Sequence, residues 1–250
     1  MSDEILIATR EGVGSIHINR PAKKNALTSA MYAALAEAFA SFDRDDRIRV
    51  ATIAGGDDFT AGNDLGDFIA ASLAGGDFRA FPVLRFLERL RDFTKPVVAA
   101  VRGNAVGIGT TMLLHCDAVV AGTSARFRLP FAQLGLVPEA GSSLLLPLTV
   151  GRARASALLL SGEALAAEQA LAFGLVNLVE EDESAEIAAE GIASRIASLP
   201  PEAVRETKRL IRAPWADAVK KQMDEEAVAF AQRLASPEFR EAARTLLAKA

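Results

Sequence analysis

The chain has 250 residues, half of them hydrophobic, which is enough for one large domain with a sizeable core. Its charge is nearly balanced, with a formal net charge of −4 and a pI near 5.4, which argues against nucleic acid as a partner. A single cysteine, Cys116, excludes an internal disulfide framework and fits a reducing compartment. The N-terminal MSDEILIATREG has no basic stretch ahead of an apolar core, and the C-terminal Leu247-Ala248-Lys249-Ala250 does not read as a peroxisomal address. The richest apolar run, Val97 to Val101, is strand-sized rather than membrane-sized. A soluble cytoplasmic protein is expected, with no membrane partner.

In chain order, residues 4–9 and 13–19 read as β-rich runs joined by the hairpin signal Arg10-Glu11-Gly12. Thr28 reads as the N-cap of a helix whose apolar residues Met31, Leu35, Ala38, Phe39 and Phe42 recur at helical spacing. A strand over 49–54 ends in Gly55-Gly56. Helices are expected over 64–71 and 79–92, around a loop at Gly75-Gly76-Asp77. Lys95-Pro96 then leads into a buried-type strand, Val97–Val101, a glycine turn, a helix from about Gly109 to His115, and a short strand over 117–121. From about Gly151 onward the pattern is nearly all helical and Ala-rich. Pro200-Pro201 punctuates it, an amphipathic stretch runs from Trp215 to Leu234, and Ser236-Pro237 caps a last helix. The alternation predicts an α/β fold of stacked β-β-α units around a mostly buried sheet.

Two turns carry the chemistry. Phe59-Thr60-Ala61-Gly62-Asn63-Asp64-Leu65 and Val97 to Asp117 each pass from a strand-like run through small residues into a helix-like segment. Such turns leave backbone N–H groups uncovered, and two converging on one point would form an oxyanion hole. A dinucleotide reading of Gly107-Ile108-Gly109 fails, because the third glycine of G-x-G-x-x-G falls on Met112. Close strand–helix packing is the plainer reading of either turn alone. His17 and His115 are isolated and read as structural, so no metal site is expected. Asp224, Glu225 and Glu226 read as a solvated helix face. Glu139 reads as a loop acid near a helix start, where its charge is mildly favourable.

Phe59-x-Ala61-Gly62-x-Asp64-Leu65, the block from Lys95-Pro96 to Asp117, and Pro138-Glu139-Ala140-Gly141-Ser142-Ser143 together resemble the crotonase superfamily of acyl-CoA enzymes. The matches run in order from Asn19-Arg20-Pro21 to Ser236-Pro237-Glu238-Phe239, and they are closest to the branch that isomerises 3-enoyl-CoA to 2-enoyl-CoA. The resemblance implies a crotonase-like spiral of β-β-α units with a C-terminal helical region. It divides the chain into a catalytic core over 1–195 and a helical trimerisation region over 196–250, in a homotrimer or dimer of trimers.

It further implies that the N–H groups of Ala61 and Ile108 form the oxyanion hole and that Glu139 is the catalytic acid/base. Ala22, Lys24, Asn63, Asp64, Leu65 and Gly107 are expected along the acyl-CoA, although Lys24 also reads as part of a surface pair with Lys23 and Asp64 as a helix cap. The two glutamates of family hydratases align with Thr111 and Phe131, neither of which is an acid, so isomerisation is expected over hydration. No metal or redox cofactor is implied; CoA belongs to the substrate. The rival expectations are another crotonase-type reaction on an acyl-CoA, either hydration of an enoyl-CoA or isomerisation of an aromatic-degradation CoA thioester, or a non-catalytic acyl-CoA-binding module.

Overall fold

The computed structural model describes residues 3–73 and 81–247. The loop expected at Gly75-Gly76-Asp77 and the first residues of the helix expected from 79 lie outside them.

Strands β1 (Ile5–Arg10) and β2 (Val13–Ile18) form an antiparallel hairpin. Its two turn residues, Glu11 (φ 50°) and Gly12 (φ 83°), are both left-handed, which matches the twist of paired strands. Helix α1 (Ser29–Arg44) starts on Thr28, whose hydroxyl accepts the Met31 N–H at 3.3 Å. Strand β3 (Val50–Ala54) follows, then α2 (Leu65–Leu73) and α3 (Pro82–Asp92). Next come β4 (Val97–Val101), β5 (Asn104–Val106) and the single turn α4 (Ile108–Thr111), which tightens to a 3-10 turn over Met112–His115. Strands β6 (Ala118–Gly122) and β7 (Arg126–Arg128) lead to α5 (Ser142–Val150) and α6 (Arg152–Ser161).

The expected run of helix beyond Gly151 contains two short strands, β8 (Leu165–Ala166) and β9 (Leu178–Glu180), on either side of α7 (Ala167–Phe173). Both add an edge to a sheet already built, a gain that depends on distant partners rather than on local pattern. Helices α8 (Asp182–Ala197), α9 (Pro201–Arg212), α10 (Ala216–Leu234) and α11 (Pro237–Leu247) complete the chain.

The main sheet has the order β1-β2-β3-β4-β6-β9 and is parallel beyond the hairpin; β5, β7 and β8 form a second, small sheet. Strand β4 is buried along its whole length because both faces are covered. One face meets α8, whose Ala185, Ala189, Ala193 and Ala197 make a flat stripe against Val50, Val98, Ala100 and Val120. The other face meets the larger core, where Phe39 and Phe86 of α1 and α3 are fully buried.

The sheets deliver two turns to one place. Thr60 N–H donates to Asn104 O at 2.8 Å and Val106 N–H to Thr60 O at 3.0 Å, so the 59–64 and 103–108 segments are zipped together. Gly62 is required at the crossing. Its φ is +89°, and a Cβ would stand 2.8 Å from the Val106 carbonyl oxygen. Gly62→Ala is expected to lower stability by about 1–3 kcal/mol. Thermal unfolding of the variant, followed by circular dichroism, should show a clear fall in Tm.

Candidate active site

The backbone of the first turn is paired on both sides. Leu27 N–H donates to Gly62 O and Asp64 N–H to Leu27 O, both at 2.8 Å, and Ala61 N–H donates to Lys24 O at 2.8 Å. Ala61 is therefore not the open donor that the motif led one to expect. Its N–H is taken by the preceding turn, and the uncovered group lies two residues on, at Asn63. In the second turn Gly107 N–H donates to Arg128 O at 2.8 Å, and Thr110 and Thr111 N–H groups return to Gly107 O. Among the described residues neither the Asn63 nor the Ile108 N–H has an acceptor. Both residues line one cavity of about 680 Å³. Two unpaired N–H groups lining one cavity can together donate to a negatively charged oxygen.

Asn63 is also held through its side chain, whose Oδ1 accepts the Tyr32 hydroxyl at 2.5 Å. Burial, with Glu139 and Asp67 nearby, pushes the Tyr32 pKa well above its ordinary value, so the phenol stays a donor.

Glu139 lines the same cavity and is only 9 % exposed. Its Oε1 accepts the Thr111 hydroxyl, while its Oε2 has no hydrogen-bond partner among the described residues. Burial pushes the carboxyl up to about 8; the Thr111 bond opposes this and the nearby Glu226 adds to it. A carboxyl with one tethered oxygen and one bare one, titrating near neutrality, can take up and return a proton.

The turn bearing Glu139 is left-handed at two successive residues, Ala140 (φ 61°) and Gly141 (φ 70°). The Ala140 carbonyl accepts from His115 Nε2 at 2.7 Å. Burial pushes His115 down to about 4, so it is neutral at pH 7 and donates through that nitrogen. Gly141 N–H donates to Glu226 Oε2 at 2.6 Å, and Ser143 gives Glu226 Oε1 both its N–H at 2.9 Å and its hydroxyl. Glu226 is 5 % exposed, contrary to the expected solvated face. The signal was present: Val219, Met223, Glu226, Phe230 and Leu234 form the buried stripe of α10, with one acid in its middle.

Most of the other residues that line the cavity are apolar. Phe68, Phe230 and Phe239 pack edge to face, with centroids 6.1 Å and 6.3 Å from Phe68. Phe131 adds another aromatic wall, and Glu238 and Glu241 of α11 border the same space. The aligned positions of the hydratase acids are thus a hydroxyl that holds Glu139 and a phenyl ring. Of the other expected contacts, Asn63, Leu65 and Gly107 reach the cavity; Ala22, Lys24 and Asp64 do not border it.

Ala22 and Lys24 are exposed on the neighbouring surface turn. Asp64 accepts the Asp67 N–H at 3.0 Å at the start of α2 and pairs with Arg20 at 2.7 Å. Burial pushes its carboxyl up, but the Arg20 guanidinium and the Asp67 N–H prevail and hold it below the usual range. Among the described residues no three His, Cys, Asp or Glu side chains stand together as metal ligands.

Residues 8–249 match the enoyl-CoA hydratase/isomerase family. The chain is 37 % identical to the 1,2-epoxyphenylacetyl-CoA isomerase of Escherichia coli K12, over all of this chain and 97 % of that one. It is 39 % identical to enoyl-CoA delta isomerase 2 of Rattus norvegicus over 84 % of this chain, which spans only 55 % of that longer protein. Among solved structures, an enoyl-CoA hydratase/isomerase from Pseudoalteromonas atlantica T6c superposes with a TM-score of 0.93 at 47 % identity, covering 99 % of this chain and 98 % of the other. OdaA of Pseudomonas aeruginosa gives 0.94 at 44 % identity, covering 98 % and 99 %. The chain therefore belongs to the enoyl-CoA hydratase/isomerase family, the crotonase superfamily.

Proposed function

We propose that the protein isomerises 3-enoyl-CoA to 2-trans-enoyl-CoA, serving the oxidation of unsaturated acyl chains. The observation that carries this reading is a buried acid with one unpaired oxygen, Glu139, lining the same cavity as Asn63 and Ile108, whose N–H groups have no acceptor among the described residues. The thioester oxygen would sit on those two donors. The C2 protons lie between a carbonyl and an alkene, so their removal gives a delocalised dienolate whose charge the donors stabilise. Glu139 takes a proton from C2 and returns it to C4, first base and then acid, and the double bond moves from C3–C4 to C2–C3. Thr111 and Phe131 offer no second carboxylate to activate water. The reading calls for no cofactor beyond the CoA of the substrate itself.

A second reading, isomerisation of a ring-bearing CoA thioester, draws on the Phe68, Phe131, Phe230 and Phe239 walls and on the full-length similarity to a phenylacetyl-CoA-type isomerase. Turnover of a straight-chain 3-enoyl-CoA beside an aryl-acetyl-CoA epoxide separates the two.

With 3-enoyl-CoA as substrate, Glu139→Gln is expected to cut turnover by about 10²–10⁴-fold while acyl-CoA affinity changes little. The unaltered protein should hydrate crotonyl-CoA far more slowly than it isomerises. Undiminished isomerisation by the Gln variant, or fast hydration, defeats the assignment.

The base form of Glu139 fills as pH rises, so kcat/KM should climb through a pH of about 8. The stability consequence has the opposite sign. A carboxyl whose folded pKa is raised favours the folded state below its unfolded value and loses that contribution as pH rises through the folded one. The Tm of Glu139→Gln should therefore rise relative to that of the unaltered protein as pH goes from 4.5 to about 8.

Leu210 and Ile211 of α9 and Trp215 beyond it are exposed apolar side chains, at 57 %, 70 % and 48 %. They suit a subunit contact in a cytoplasmic homotrimer or dimer of trimers. Sedimentation equilibrium should return a multiple of three chains; a stable monomer at micromolar concentration is the contrary result.

A further inference from the structure

We propose that Glu226, in the long helix α10, is a positioning residue for Glu139: it clamps the left-handed turn that aims the base into the cavity and fixes a negative charge behind it. The inference rests on Glu139 acting as the base.

The turn Pro138-Glu139-Ala140-Gly141 does not hold itself. Ala140 occupies a left-handed conformation that L residues with a Cβ disfavour, and Gly141 follows in the same region. Within the turn, the Ser142 N–H reaches back to Glu139 O at 3.0 Å. The rest of the support comes from outside, from His115 on the Ala140 carbonyl and from Glu226 on the Gly141 and Ser143 N–H groups. Burial pushes the Glu226 carboxyl above its ordinary range, and the three hydrogen bonds that its two oxygens accept oppose that shift and favour the ionised form. Gln222, one turn earlier on α10, donates to the Ser143 hydroxyl at 2.9 Å and completes the network.

Glu226 also faces Glu139 across a small space. A second cavity of about 130 Å³ lies between α3 and α10, and both glutamates line it. The charged and titratable groups around Glu139 are Tyr32 of α1, His115 behind Ala140, Glu88 and Arg91 of α3, Asp224 and Glu226 of α10, and, along the larger cavity, Arg128, Glu238 and Glu241. Glu88, Arg128, Asp224, Glu238 and Glu241 are exposed and solvent-screened, and Arg91 is drawn off by Asp92 at 2.7 Å. The buried negative charge of Glu226 is left to raise the proton affinity of Glu139. Four residues further along the same helix, Phe230 lines the acyl cavity. One helix thus holds both the base turn and a wall of the substrate space.

The test compares Glu226→Ala and Glu226→Gln with Glu139→Gln, reading kcat, KM for 3-enoyl-CoA, the pH dependence of kcat, and Tm. Glu226→Ala should lower kcat about 10- to 100-fold with KM within about threefold, as expected for a misaimed base. Glu226→Gln keeps one acceptor oxygen for the turn and folds more readily. It should recover much of kcat and move the acid limb of the profile to lower pH by about half a unit or more, because a facing negative charge is gone. A Gln profile that stays in place, with kcat per folded molecule unchanged in both variants and only Tm lowered, would make Glu226 a structural cap and overturn the proposal. Full activity in Glu139→Gln marks a different failure, that of the base assignment itself.

Discussion

A carboxyl group buried among apolar side chains, with one oxygen tethered and the other bare, is the feature on which this site depends. Burial without full hydrogen bonding costs free energy, and that cost keeps the Glu139 proton affinity near neutrality. An exposed glutamate would be a weaker base with a lower pKa, and a fully paired one would have no free oxygen for a carbon acid. The sheet, the two zipped turns and the C-terminal helices together maintain a conformation that the turn alone would not keep. Thr111 occupies the middle ground: it fixes the direction of the carboxyl without satisfying it.

The oxyanion side follows a complementary logic. Buried backbone N–H groups are nearly always paired, so an unpaired one on a cavity wall marks a place prepared for a ligand. Parallel pairing of the 24–27 segment with the 60–64 segment uses the N–H groups of Ala61 and Asp64 and leaves that of Asn63. Tyr32 secures the Asn63 side chain, so the donor is fixed by the backbone on one side and by a phenol on the other. On the proposed reading the two donors are held in place without substrate, which is the condition for electrostatic stabilisation without reorganisation.

Local features were the legible ones. The Arg10-Glu11-Gly12 hairpin, the Thr28 cap and the wholly apolar β4 strand each depend on a few neighbouring residues, and each forms where the pattern puts it. The family motifs brought Glu139, Ile108 and Asn63 to one cavity. What the motif could not say is which N–H of the first turn remains open, because that depends on the carbonyl of Lys24, 37 positions earlier in the chain. Strands β8 and β9 escaped for a similar reason: their two and three residues gain order only from partners far away. Glu226 was readable in principle, as an acid on an apolar stripe, but its composition with Asp224 and Glu225 suggested solvent.

The hydrogen bond between Gly141 and Glu226 spans 85 residues. Synthesis proceeds from the N-terminus, and the strands, the oxyanion turns and Glu139 emerge well before α10. A nascent chain can thus assemble its sheet and its pair of donors while the base turn still lacks its outer support. On the proposed reading, the base gains its outer support only when α10 docks, after the sheet and both donor turns have been made.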